Sequence, residues 1–321
     1  MKAIVIQHYG GPEVLASVEL PVPEPKSGEI RIQVKAFGVN RAEIHMREGH
    51  WGDVSKITGI ECVGVVDADP SGTLRRGQTV AAVVGGLGRS VPGSYAEYTC
   101  VPVSNVFVLD TTLSWADLAA IPESYATAWG ALFDIMSLEP HHVILIRGAT
   151  SALGQAAVSI ASDYGATVLA TTRRTDRVKG LEDLGASRVL IDDGVLANEV
   201  HGIDGVLDIV GNRVLRDSLR MLKRTGTLCE VGFLGGMEPV ENFNPLVDMP
   251  SGVKLRFYGT GFVLGNPDFP LDAIPMQRIV EKVASGAYKT KPAKVFPFAA
   301  IQDAHRFMES DEAFGKIVVM M

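Results

Sequence analysis

The stretch VILIRGATSALG, residues 143–154, decides the fold class. Its apolar start predicts a buried strand, its GATS segment predicts a tight turn, and the apolar-periodic residues that follow predict a helix. A turn in this context points backbone N–H groups and the positive end of the helix dipole at an anion. We therefore predict a dinucleotide phosphate site formed by Thr150, Ser151, Ala152, Leu153 and Gly154.

The turn keeps one of the three glycines of the G-x-G-x-x-G fingerprint. Ala149, Ser151 and Gly154 occupy the three positions. Gly154 still permits the close helix-to-strand contact that a side chain would block, and Ser151 can offer its amide and hydroxyl to phosphate oxygens. An ordinary βα turn is the alternative, so the prediction rests on the flanking strand and helix.

The chain has 321 residues. A single hydrophobic core rarely supports a chain of that length, so we expect two domains. A formal net charge of -7 disfavours broad nucleic-acid binding, and no apolar run reaches membrane-spanning length. Cys62, Cys100 and Cys229 form no C-x-x-C pair, so neither a disulfide framework nor a cysteine zinc cluster is indicated. We expect a cytoplasmic protein without nucleic-acid or membrane partners.

The periodicity changes along the chain. Short β-rich runs broken by Gly and Pro extend to about residue 110 and predict a barrel or sandwich. From about Trp115, strands and amphipathic helices alternate, which predicts a parallel sheet. We expect helices to end at Gly165, Gly185 and Gly226, the last of these closing a helix over residues 213–226.

The strand TVLATTRR, residues 167–174, ends where an NAD-specific protein usually carries an acid for the ribose 2′-hydroxyl. Here stand Thr172, Arg173 and Arg174, and arginines just before a helix start call for a compensating anion. A ribose 2′-phosphate supplies it, so we predict NADPH as the cofactor. Two solvated surface arginines are the alternative, and the charge of Asp192 at the end of the next strand is a complication.

Several segments, taken in order, resemble the medium-chain dehydrogenase/reductase superfamily, and most of all its metal-free quinone oxidoreductase branch. They are AFGVNRAEIHMREGHW, TGIECVGVV, GSYAEYTCVP, IPESYATAWGAL, RGATSALG, FPFAAIQDAHRFMES and GKIVVM. The resemblance implies an α/β fold with a GroES-like β-barrel domain at residues 1–118 and a doubly wound Rossmann domain at 119–261. It also implies that residues 262–321 return to the first domain, and that a homodimer forms through the edge strand KLRFYG.

Zinc alcohol dehydrogenases of this superfamily hold their catalytic metal with a Cys, the His of a Gly-His-Glu triplet, and a second Cys. This sequence has Asn40, Ile60 and Glu123 at those places. A catalytic zinc site needs three protein ligands, so the resemblance implies metal-free chemistry, with Glu61 in a structural role.

Four potential ligands also lie within residues 42–50, namely Glu43, His45, Glu48 and His50. Two imidazoles and two carboxylates are groups that bind zinc, which leaves a separate metal site as an alternative. We predict instead that these side chains line a solvated loop, with His45 and Trp51 beside the substrate cleft.

The resemblance also assigns residues to the nicotinamide half of the cofactor. Asn40 is expected beside the nicotinamide ribose and Thr127 beside the ring, although a turn residue and a self-bonded helix threonine are the alternatives. The remaining residues expected to contact the cofactor are Val210, Gly211, Gly232, Phe233 and Phe262. Tyr125 and His45 are the candidate proton donors, with bulk water as a third.

We therefore predict an NADPH-dependent, metal-free oxidoreductase that transfers hydride to a quinone or an α,β-unsaturated carbonyl. Conjugation spreads the charge that develops on such an acceptor, which suits a site without a Lewis acid. The alternatives are a zinc-dependent alcohol dehydrogenase, an enoyl-thioester reductase, and a non-catalytic NADPH-binding protein.

Overall fold

The computed structural model describes residues 1–321, which divide into two compact units. Unit 1 comprises Met1–Ala126 and Thr260–Met321, and unit 2 comprises Thr127–Gly259. The predicted boundary at residues 118 and 119 is therefore displaced. Residues 119–126 belong to unit 1 because the Glu123 amide donates to Glu61 and the Tyr125 hydroxyl bonds to Thr290.

The chain forms fifteen strands and ten α-helices. The strands are β1 Lys2–Ile6, β2 Leu15–Glu19, β3 Glu29–Val39, β4 Glu61–Ala68, β5 Thr79–Val83, β6 Tyr98–Pro102, β7 Val106–Val108, β8 Val143–Arg147, β9 Thr167–Thr172, β10 Arg188–Ile191, β11 Ile203–Asp208, β12 Leu222–Glu230, β13 Lys254–Phe257, β14 Pro292–Pro297 and β15 Lys316–Met320. The helices are α1 Arg41–Arg47, α2 Trp115–Ala119, α3 Pro122–Trp129, α4 Ala152–Tyr164, α5 Val178–Asp183, α6 Leu215–Arg220, α7 Pro245–Asp248, α8 Thr260–Val263, α9 Met276–Ala284 and α10 Ile301–Glu309. None of these helices has both the length and the apolar character that crossing a bilayer requires.

Unit 1 is built on a seven-stranded sheet in the order β14-β15-β3-β4-β5-β7, with β6 also paired to β3. β3 alternates half-buried and buried residues along most of its length, as expected for a strand with one face on a core. Phe37 on its buried face stacks on Tyr95 at 4.5 Å between ring centroids. The C-terminal strand β15 pairs antiparallel with β3, which places the last residues of the chain in unit 1.

Unit 2 contains a six-stranded sheet in the order β10-β9-β8-β11-β12-β13, and every neighbouring pair is parallel. The chain adds strands in one direction from β8 and then in the other from β11. The carboxyl ends of β8 and β11 therefore flank the switch point, where ligands bind in open α/β sheets. The predicted parallel sheet is confirmed. β13 lies at one edge, and its pairing with a second copy stays a prediction.

The helix predicted over residues 213–226 is wrong in its second half. α6 ends at Arg220, and β12 starts at Leu222 and runs through Gly226. Met221 and Leu222 are both buried, so the apolar pattern continued past the helix end and concealed the change of structure. Gly165 and Gly185 do follow helices, with φ angles of 100° and 110° that suit glycine.

Candidate functional site

The turn between β8 and α4 has the geometry of a phosphate-binding turn. A Cβ added to Gly154 would lie 2.5 Å from Ala149 Cα, which confirms that this position requires glycine. Ser151 caps α4, since its Oγ accepts from the Gly154 amide at 3.0 Å and donates to the Gly148 carbonyl at 2.9 Å. This corrects the prediction that Ser151 offers its hydroxyl and its amide to a phosphate, because both donate to the Gly148 carbonyl inside the turn.

The amides that remain at the start of α4 are those of Ala152 and Leu153. The Ser151 amide donates to Gly148, and the helical ladder begins when the Gln155 amide donates to Ser151. The first amides of a helix have no acceptor within it and carry the positive end of its dipole. The turn therefore fits a pyrophosphate, held by two backbone amides rather than by the Ser151 side chain.

The loops after β11 and β12 meet beside this turn. A Cβ on Gly211 would lie 2.5 Å from the Gly232 carbonyl, and one on Gly148 would lie 3.6 Å from a methyl of Val210. Phe233 belongs to the same group, because a Cβ added to Gly211 would lie 3.0 Å from its ring. The structure thus brings Val210, Gly211, Gly232 and Phe233 together at the carboxyl edge of the sheet, and their contact with a cofactor stays a prediction.

A buried arginine that sequence reasoning missed anchors the turn. Arg147, the last residue of β8, is fully buried and binds Asp192 through two bonds of 2.8 and 2.9 Å. It also donates to Asp217 at 2.8 Å. Thr171 Oγ1 accepts from the Gly148 amide at 3.1 Å and bonds to Asp192. The signal was an arginine inside the otherwise apolar stretch VILIR.

These hydrogen bonds also account for the charge of Asp192, which the sequence placed near the predicted 2′-phosphate site. Burial acts to raise the pKa of Asp192, but the bonds from Arg147 lower it, so the carboxylate is ionised and directed at Arg147. At the end of β9, Thr172 is buried and Arg173 and Arg174 are exposed. Arg174 pairs with Asp176 at 2.6 Å. The preference for a 2′-phosphate stays a prediction.

In unit 1, Asn40 starts a helix rather than a loop. The Asn40 amide donates to Glu43 Oε2 at 2.7 Å, and Glu43 Oε1 accepts from the Ile60 amide at 3.0 Å. Glu43 is completely buried, so the prediction that it lines a solvated loop is wrong. The sequence N-x-x-E is a capping pattern and was the available signal. Burial raises the pKa of Glu43 to about 7.

The buried side chain of Lys316 lies near two of the three residues that stand at the metal-ligand positions. Its Nζ lies 2.6 Å from Asn40 Oδ1 and 4.0 Å from Glu123 Oε2, and it forms a close ion pair with Glu61. Burial acts to lower the pKa of Lys316, but the carboxylates of Glu61 and Glu123 raise it, so the lysine is an ammonium. Sequence reasoning missed Lys316, although a lysine inside the apolar segment GKIVVM was visible.

The Asn40 carboxamide has little capacity left for a ligand. Its Nδ2 donates to Glu43 at 3.2 Å and to Glu61 at 3.1 Å, while its Oδ1 accepts from Lys316. An amide oxygen accepts two hydrogen bonds, so one acceptor position remains. If Asn40 binds the nicotinamide ribose, as predicted, it does so by accepting from a hydroxyl.

The remaining catalytic candidates have different surroundings. Tyr125 is 1% exposed, bonds to Thr290 and stacks on Tyr288 at 5.7 Å. Thr127 is buried in unit 2. His45 is only partly buried, and the role of either residue as the proton donor stays a prediction.

Four planar side-chain groups of unit 1 lie next to one another, and we call them the aromatic row. They are His45, Trp51, Arg89 and Phe262. The His45 and Trp51 rings are 6.3 Å apart and nearly parallel, and the Arg89 guanidinium lies 5.7 Å from Trp51 and 4.3 Å from Phe262. Phe262 is 62% exposed. Such a row can stack a planar conjugated molecule.

Two protein-family models match this chain, and between them they include residues of both units. Residues 26–111 match the alcohol dehydrogenase GroES-like domain family, and residues 184–319 match the zinc-binding dehydrogenase family. Quinone oxidoreductase of Homo sapiens is 27% identical over 335 aligned positions, covering 100% of this chain and 98% of the human protein.

Two solved structures share the fold along the whole chain. An NAD-dependent alcohol dehydrogenase is 26% identical with a TM-score of 0.83, and the match covers 100% of both chains. A quinone oxidoreductase of Escherichia coli, solved with NADPH, is 22% identical with a TM-score of 0.87 and the same coverage. Together with the two domain families, these relatives confirm the predicted architecture. The chain therefore belongs to the medium-chain dehydrogenase/reductase superfamily, in its quinone oxidoreductase-like branch.

Proposed function

We propose that the protein is an NADPH-dependent oxidoreductase that reduces a quinone or an α,β-unsaturated carbonyl without a catalytic metal. The observation that carries the metal-free part is the ammonium of Lys316, bonded to Asn40 and Glu61 and facing Glu123. A protonated lysine has no lone pair for a metal, and its charge repels a dication. Two of the three ligand positions therefore surround a cation that the chain itself supplies.

The cofactor part rests on the carboxyl edge of the unit 2 sheet. The amides of Ala152 and Leu153 would hold the pyrophosphate, and the residues at the end of β9 would hold the 2′-phosphate. The NADPH complex of the Escherichia coli relative and the 27% identity to human quinone oxidoreductase support this assignment. Bound NADPH supplies the hydride that reduces the acceptor.

The choice of acceptor follows from what the residues of unit 1 provide. No metal is proposed at the Asn40, Ile60 and Glu123 positions, so hydrogen-bond donors there must stabilise the negative charge that develops on the acceptor oxygen. A quinone or enone spreads that charge through conjugation, whereas an unactivated ketone does not. The aromatic row offers flat surfaces that suit a planar acceptor. A water molecule would then donate a proton to the reduced acceptor.

The experiment is an assay of NADPH oxidation with 1,4-benzoquinone and with a simple enone, on protein dialysed against EDTA and analysed for metals. We expect turnover in the metal-free protein, and slower turnover with NADH. Binding of NADPH without turnover would instead indicate a non-catalytic protein. Zinc-dependent oxidation of a primary alcohol with NAD⁺ would overturn the proposal in favour of an alcohol dehydrogenase, and a strong preference for enoyl thioesters would redirect it to that class.

A further inference from the structure

Three potential metal ligands converge at the end of α1, away from the Lys316 ammonium. His45 lies in the last turn of the helix, Glu48 is its C-cap residue, and His50 follows two residues later. One ligand atom of each residue lies within 4.8 Å of the others. Of the side chains predicted to line a solvated loop, Glu48 and His50 are exposed and lie in a turn, whereas His45 is half-buried in the helix.

The backbone holds this reversal in place. Gly49 has a φ of 81°, a left-handed conformation that turns the chain back on the helix. The His50 amide then donates to the His45 carbonyl at 2.9 Å, and the two imidazole rings lie 5.8 Å apart. A Cβ on Gly49 would lie 2.8 Å from the ring of Tyr9, whose hydroxyl donates to the Gly52 carbonyl at 2.9 Å.

Each of the three side chains keeps at least one potential ligand atom outside a hydrogen bond to the protein. Glu48 Oε1 accepts from Arg47 at 3.3 Å, while Oε2 lies 3.4 Å from His50 Nδ1. His45 Nδ1 is buried and has no hydrogen-bond partner. A buried nitrogen without a partner is costly, and coordination of a metal ion by Nδ1 itself would remove that cost.

The ligand set indicates the class of ion. Two imidazoles and one carboxylate are preferred by zinc and other late first-row transition metals, whereas calcium and magnesium prefer oxygen ligands alone. We propose that His45, Glu48 and His50 bind one divalent transition metal ion, with Zn²⁺ as the representative. Three protein ligands leave at least one coordination position open to water or another small ligand.

The test is a titration of EDTA-dialysed full-length protein with Zn²⁺, followed by competition with a chromophoric chelator. We expect one Zn²⁺ per chain, and affinity at least tenfold weaker in each of His45→Ala, Glu48→Gln and His50→Ala. His141→Ala is the matched control because His141 is exposed and lies beside His142, and it should leave the affinity unchanged. Thermal unfolding of each variant establishes that it is folded.

A spectroscopic measurement reports on the ligands directly. With Cu²⁺ as the probe, electron paramagnetic resonance should show two coupled nitrogens in the wild type and one in His45→Ala or His50→Ala. The proposal is overturned if no Zn²⁺ binds, if the three variants bind as tightly as the wild type, or if His141→Ala weakens binding as much as they do. None of these outcomes depends on reductase activity, so the proposed function and this site can fail separately.

Discussion

Lys316 Nζ lies 2.6 Å from Asn40 Oδ1, although 276 positions of sequence separate the two residues. The contact joins the C-terminal strand β15 to the residue that starts α1. Lys316 is also the cation that faces Glu61, and both side chains are almost fully buried. The position of the Asn40 side chain therefore depends on the buried ion pair between Lys316 and Glu61. Without the other, each of these two buried groups would lack an opposite charge.

The substitution Lys316→Met should destabilise the protein strongly. It removes the ammonium and leaves the buried Glu61 carboxylate without its cationic partner, which costs about 3–5 kcal/mol of unfolding free energy. Urea unfolding followed by circular dichroism measures the change. The control is Lys223→Met, because Lys223 pairs with Asp204 at a half-exposed position and should cost less than about 1 kcal/mol. Equal effects of the two substitutions would contradict the role of Lys316.

The substitution Gly154→Ala should weaken cofactor binding. The new methyl group would lie 2.5 Å from Ala149 Cα, so the turn or α4 must move, and the amides of Ala152 and Leu153 move with it. We expect the Kd for NADPH to rise about tenfold or more, equivalent to about 1.4 kcal/mol. Fluorescence titration checks this. In the control Gly72→Ala, the added methyl meets no atom within 4 Å, and the φ of 69° strains only that exposed loop, so the NADPH affinity should not change.

The double substitution Arg173→Ala, Arg174→Ala should weaken the binding of NADPH but not that of NADH. Loss of charge-assisted bonds to a 2′-phosphate costs about 1.5–3 kcal/mol per bond, so NADPH binding should weaken by more than tenfold while NADH binding is unchanged. Binding of both cofactors is measured in the same titration. Arg188→Ala is the control, since Arg188 is an exposed arginine of the same unit that pairs with Glu199. Equal losses for NADPH and NADH would count against a 2′-phosphate site.

Glu230 should make the stability of the protein depend on pH. It ends β12, is 7% exposed, and has a buried Oε1 without a hydrogen-bond partner. Burial, with the nearby charge of Asp208, raises the pKa of Glu230 from 4.5 to about 7. The folded protein therefore holds this proton more tightly than the unfolded chain. The stabilisation is complete below about pH 4.5 and is lost as the pH rises to about 7.

The substitution Glu230→Gln tests the direction of this pH dependence, because glutamine does not ionise. We expect the variant to be more stable than the wild type at pH 8 by about 1–3 kcal/mol, with the difference shrinking toward pH 5. Thermal unfolding across this pH range is the measurement. Glu238→Gln, at an exposed position of the following loop, is the control for removing a carboxylate and should not reproduce the gain in stability at pH 8. A stability difference for Glu230→Gln that grows toward low pH would reverse the assignment.

Local sequence determined the elements of the fold. The alternation of apolar residues along β3 and the strand–turn–helix pattern at residues 143–154 each depend on neighbours within a few positions. The requirement for glycine at position 154 is also local, because the atom that a side chain would strike belongs to Ala149, five residues earlier. Where the local pattern was ambiguous, as at the apolar pair Met221 and Leu222, the predicted helix ran on into a strand.

Only the tertiary structure decided how the polar side chains are paired. Glu43 is buried and accepts from the Ile60 amide rather than lying in solvent, Arg147 is bound by Asp192, and Lys316 lies against residues from the far end of the sequence. Arg147 and Lys316 were visible in the sequence only as charges within apolar segments, and Glu43 only as part of a capping pattern with Asn40. A buried charge takes its partner from whatever the fold brings within a few ångströms, and no pattern of spacing along the chain specifies that distance.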